Sequence, residues 1–99
     1  MKNHPLILGH AERGLGETLL KTNQLKEALQ HLQASRAELA KTERAEEIGR
    51  TQFVLAQALA RTGQKQEARD LAIAARDKLQ KGHAGMKWLA GEIDSWLGN

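Results

Sequence analysis

The 99-residue chain has no cysteine, no tyrosine, one proline, one phenylalanine and few β-branched residues. Each shortage excludes something. Without cysteine there is no disulfide and no thiolate metal site, which fits a reducing compartment. With so few β-branched and aromatic residues, a sheet is not expected. The single proline, Pro5, leaves the rest of the chain free of the strongest helix breaker. No apolar run approaches the roughly 18–20 residues needed to cross a bilayer. The segment Met1 to His10 holds a short apolar run, Leu6-Ile7-Leu8, without the longer apolar core and small-residue cleavage site of a signal peptide. These absences predict a cytoplasmic protein with no membrane association.

What remains is helix-forming: Ala, Leu, Gln, Glu, Lys and Arg dominate. The formal charge is +3, with a pI near 9.5. Basic and acidic residues are interleaved, the pattern of solvated helix faces, so nucleic acid is a weak expectation. A basic helical module that binds nucleic acid is nonetheless the alternative function. The length suits one domain over residues 1–99, with a core but little stability to spare.

The chain repeats itself at an offset of 40 residues. Between Gly9–Thr42 and Gly49–Gly82 the identical pairs include Gly9/Gly49, Leu15/Leu55, Leu19/Leu59, Thr22/Thr62, Gln24/Gln64, Ala28/Ala68, Arg36/Arg76 and Leu39/Leu79. Small or apolar pairs join them: Leu8/Ile48, Gly16/Ala56, Leu32/Ala72 and Ser35/Ala75. Within each unit two apolar stripes at helical period are separated by a break. In the first unit Leu8, Leu15, Gly16 and Leu19 precede Thr22-Asn23-Gln24, and Leu25, Ala28, Leu29, Leu32, Ser35 and Leu39 follow. In the second, Ile48, Leu55, Ala56 and Leu59 precede Thr62-Gly63-Gln64, and Ala68, Leu71, Ala72, Ala75 and Leu79 follow. Gly63 stands where Asn23 stood, as the left-handed residue that ends a helix should. After a further break, Gly82-His83-Ala84-Gly85, comes a stripe of Met86, Leu89, Ala90, Ile93, Trp96 and Leu97. Five helices are predicted, at about 6–22, 25–41, 44–62, 65–81 and 86–97.

The pattern Leu15-Gly16, Leu19, Asn23, Leu25, Ala28, Leu32, Ser35, with its echo Leu55-Ala56, Leu59, Gly63, Ala68, Ala72, Ala75, resembles the tetratricopeptide-repeat (TPR) signature. Small residues at Gly16 and Ala56, and at Ala28, Ser35, Ala68 and Ala75, match the places where paired helices approach closely. Three features depart from the family. The unit is 40 residues rather than 34, Glu12 and Gln52 replace the usual Trp, and the unit-ending proline is missing. The longer unit resembles repeats of bacterial regulatory proteins, and residues 86–97 resemble their capping helix. The resemblance implies an all-α fold of antiparallel hairpins stacked as a short solenoid: repeat 1 at about 9–42, repeat 2 at about 49–82 and the cap. HEAT-like pairs or a plain bundle are the alternative architectures.

No catalytic constellation or cofactor motif stands out, and no enzyme is expected. His4, His10, His31 and His83 have no neighbouring ligands at metal-site spacing, so exposed surface histidines are expected. Gly14-Leu15-Gly16 lacks the strand–loop–helix setting of a phosphate loop. Glu43, Glu46 and Glu47 suit a helix N-terminal turn. Trp96 falls on the apolar stripe and is expected in the core. Trp88 falls off it and is either an exposed anchor or a cover for the cap.

The resemblance implies a concave face made by the first helix of each unit: His10, Arg13, Glu17, Leu20 and Lys21, then Arg50, Phe53, Gln57, Ala60 and Arg61. Mostly cationic and carrying the only Phe, such a face suits a protein or peptide partner, an acidic segment with an apolar anchor above all. Glu17 and Gln57 stand where family members that clamp C-terminal carboxylates carry Asn, so that ligand is not expected. Two units are fewer than the roughly three that stacked arrays usually need. Self-association, or membership of a longer array, is expected.

Overall fold

The computed structural model describes residues 4–81 and 86–98. Its five helices are α1 (Pro5–Lys21), α2 (Leu25–Ala40), α3 (Ala45–Arg61), α4 (Lys65–Gln80) and α5 (Lys87–Leu97), with no strand among the described residues. The expected helices are all present, with ends moved by no more than a residue or so. The Gly82–Gly85 break and His83 lie outside the described residues.

Local chemistry sets the helix ends. Pro5 opens α1 at a position where its missing N–H is not needed, and the His4 Nδ1 accepts from the Leu6 N–H at 3.1 Å. The α1–α2 and α3–α4 turns close identically. Asn23 (φ 62°) and Gly63 (φ 89°) are left-handed. The N–H of Gln24 donates to Leu19 O at 2.8 Å, and that of Gln64 to Leu59 O at 2.9 Å. These are Schellman closures, which satisfy carbonyls that a helix end leaves open.

The helices pack as adjacent hairpins, α1 on α2 and α3 on α4, with α3 seated on α2 and α5 on α4. Glycine sets how closely they approach. A Cβ at Gly16 would lie 2.5 Å from Leu32 Cγ, and one at Gly49 would lie 2.7 Å from Leu79 Cγ. Gly9 is blocked the same way by Leu39. Leucines of the second helix thus insert over glycines of the first. The repeat pairs Gly9/Gly49 and Leu39/Leu79 are these contacts, made once in each hairpin. Unit 1 sets Gly16 under Leu32. The equivalent positions of unit 2 hold Ala56 and Ala72, both fully buried. The second hairpin divides the volume more evenly between its two helices.

One stripe is corrected. In α1 the buried residues are Gly9, Gly16 and Leu20, while Leu15 is half exposed. The equivalent Leu55 is buried because α3 packs against α2 of the first hairpin as well as against its own partner α4. Leu15 faces away from α2 and meets nothing comparable.

The Gly16–Leu32 packing yields a prediction. Gly16→Ala overpacks and should cost about 1–3 kcal/mol. Leu32→Ala opens a cavity and should cost about 2–5 kcal/mol. The double variant reproduces the Ala56/Ala72 arrangement and should be more stable than the sum predicts by over about 1 kcal/mol, read by urea unfolding. Strict additivity would show that the two hairpins are packed differently.

Candidate partner-binding groove

The first helices of both hairpins and α5 stand side by side around an open groove of about 370 Å³. From α1 it takes Arg13, Glu17, Leu20 and Lys21; from α3, Arg50, Phe53, Gln57 and Arg61. Val54, Trp88, Leu89 and Glu92 complete the lining. The expected face is thus largely gathered in one place, but its members play different physical parts.

Arg13 is occupied. Its guanidinium lies 3.0 Å from Glu47 Oε1 and donates to Glu47 O at 3.4 Å and to Thr51 Oγ1 at 3.3 Å. Its side chain is only 12% exposed. Thr51 is fully buried, and its hydroxyl lies 3.4 Å from that of Ser35, which donates to Gly9 O at 2.7 Å. His10 joins from the rim, Nε2 to Glu47 Oε1 at 2.8 Å. One polar seam therefore runs through α1, α2 and α3, and Arg13 is its centre. His10 lies outside the groove lining and belongs to this seam.

Arg61 is also held. It donates to Leu20 O at 2.8 Å and to Asn23 Oδ1 at 2.7 Å, tying the end of α3 to the α1–α2 turn. This contact gives Asn23 a use that glycine would not supply. Leu20 and Phe53 are buried at the groove floor, and Phe53 meets Trp96 edge to face at 5.8 Å. Trp96, expected in the core, is 38% exposed and covers Phe53 from the side. Ala60 is half-buried against the core. What the groove presents to solvent is Lys21, Arg50, Glu17, Glu92 and Trp88, the last 58% exposed. Among the described residues, Lys21 and Arg50 enter no ion pair.

His4 and His10 are exposed, as expected, and His31 is half-buried, but two of the three are paired: His10 with Glu47, and His31 Nδ1 at 2.6 Å from Glu12 Oε2. Their partners are 37 and 19 residues away, so no local spacing announced them. Glu46 and Glu47 do sit in the first turn of α3, but Glu43 lies before it with a left-handed φ of 58°. Among the described residues no group of three His, Asp or Glu could hold a metal ion.

Val54, Leu89 and Glu92 were not anticipated. The sequence did carry a signal: α5 begins 42 residues after α3, so Glu92 occupies the register of Arg50 on a third wall.

No family model, curated protein or solved structure matches this chain.

Burial pushes the Glu47 carboxyl up, but hydrogen bonds from His10 and Arg13, with the Arg13 charge, outweigh it and hold it below its ordinary value of 4.5. A carboxylate depressed in the folded state stabilises above its unfolded pKa and loses that contribution as pH falls through the folded one. The stability gap between wild type and Glu47→Gln should therefore be present above pH about 4.5 and close at lower pH, followed by urea midpoints. Arg13→Ala should cost about 1–3 kcal/mol by leaving Glu47 and Thr51 short of a donor. Arg50→Ala, on the exposed wall, should stay within about 0.5 kcal/mol of wild type.

Proposed function

We propose that the chain is a protein-interaction module of the tetratricopeptide-repeat type, holding a segment of a partner protein in the groove between α1, α3 and α5. One observation carries this: an exposed Trp88 stands on the same open groove as the exposed cations Arg50 and Lys21. An exposed aromatic ring beside cations outside any internal ion pair suits a peptide with an apolar anchor and acidic residues. The small-residue packing positions and the 40-residue repeat support the family assignment. The relatedness to long bacterial repeats rests on the same residues.

The role is binding rather than catalysis. No helix among the described residues is long and apolar enough to cross a membrane, and the lack of cysteine favours the cytoplasm. Self-association through the outward face of α1, where Ile7 and Leu15 are exposed, leaves the groove open. Nucleic acid is the less favoured ligand, because Glu17 and Glu92 interrupt the groove cations and leave no continuous basic track for a phosphate backbone, whereas a peptide can set separate acidic residues against Lys21 and Arg50.

Because Arg13 and Phe53 are built into the fold, Lys21, Arg50 and Trp88 are the residues to test. Acidic peptides with one aromatic residue should bind the 99-residue chain and shift its tryptophan fluorescence. Lys21→Glu with Arg50→Glu should weaken binding about tenfold, or ~1.4 kcal/mol, and Trp88→Ala should weaken it similarly. Peptide binding unaffected by all three changes would remove the groove as the site. Salt-sensitive binding of duplex DNA without peptide binding would favour the nucleic-acid alternative.

A further inference from the structure

The outward face of α1 carries Ile7, Ala11, Gly14, Leu15 and Thr18, at i, i+4, i+7, i+8 and i+11. All five are exposed and none is charged, with Ile7 68% and Leu15 50% accessible. In a chain in which 27% of residues are charged, an exposed helix stripe with no charge is the composition of a covered surface.

The repeat shows what such a stripe does. Forty residues on, Glu47, Thr51 and Leu55 hold the same register on α3. There the first hairpin packs over them: Thr51 is fully buried beside Ser35 of α2, and Leu55 is 1% exposed. On α5, two further residues along, the register is held by Leu89, Ile93 and Leu97, and α4 packs on that helix. Leu89 and Ile93 are buried there. The open α1 stripe thus continues, at the same register, an interface that the fold makes twice.

We propose that this face docks a second copy of the chain, with α1 antiparallel to α1 of the partner subunit about a two-fold axis near Ala11. The spacing is self-complementary. Ile7 lies four residues before Ala11 and Leu15 four after, so a two-fold axis there sets Ile7 against the partner subunit's Leu15 and repeats the contact. Ala11 and Gly14 at the crossing allow close approach, as Gly9 and Gly16 do on the opposite side of the same helix. Head-to-tail stacking on α5 lacks a matching surface, because the exposed positions there include Lys87, Glu92 and Ser95. The two-fold arrangement also closes, pairing both open faces at once.

Sedimentation velocity of the full chain over a wide concentration range tests this. Wild type should show a reversible monomer–dimer equilibrium. Ile7→Glu with Leu15→Glu should raise the dissociation constant at least tenfold with helical circular dichroism unchanged, since both residues are exposed in the monomer. The chain has no cysteine, so Ala11→Cys should give a disulfide-linked dimer on mild oxidation, whereas Gly91→Cys on α5 should not. A wild-type monomer at every concentration, a dimer undiminished by the double glutamate change, or open-ended oligomers would each overturn the proposal. None of these outcomes depends on whether the groove binds peptide.

Discussion

Arg13 is the hinge pin of this small stack. It sits on α1, reaches Glu47 and Thr51 on α3, and through Thr51 is linked to Ser35 on α2. The hairpins meet chiefly through α2 and α3, and this seam, with the Arg61 bonds to Leu20 O and Asn23 Oδ1, ties α1 to α3 across the groove. A part-buried guanidinium with a carboxylate, a hydroxyl and a backbone carbonyl around it is satisfied only in one arrangement, and removing one member strands the others. The next joint along the stack combines an aromatic contact with a charge pair. There Phe53 occupies the register of Arg13 and meets Trp96, and Arg76 reaches Asp94 at 2.9 Å. That charge pair raises the Arg76 pKa, chiefly through the hydrogen bond to Asp94.

Within each hairpin the governing constraint is steric. Gly9 and Gly49 remain glycine because leucines from the second helix fill the space a Cβ would need. Gly16 under Leu32, against Ala56 with Ala72, is the same volume divided two ways. Close packing of this kind lets a chain with one phenylalanine and two tryptophans fill a core chiefly with leucine and alanine.

The two long faces of α1 consequently differ in kind. One carries the seam and the groove, where cations and an indole are left to solvent. The other is an uncharged stripe in a register that is covered on α3 and packed against α4 on α5. A module that associates through the second face would keep its groove available, and a pair of chains would present two grooves with the gain in avidity that duplication gives.

Composition and periodicity determined the helices, their number, the left-handed turns at Asn23 and Gly63, and the pairing of helices into repeated hairpins, because these depend on near neighbours and on period. The groove was legible in outline for the same reason: residues in equivalent register on successive first helices must share a face. What the tertiary structure alone decided was the state of each side chain on that face. Arg13 and Arg61 face the groove by register, yet their partners, Glu47 and Asn23, are 34 and 38 residues away and reach them only once the hairpins stack. Leu15 and Leu55 are identical and in equivalent register, yet one is exposed and the other buried, because burial belongs to the neighbour and not to the residue.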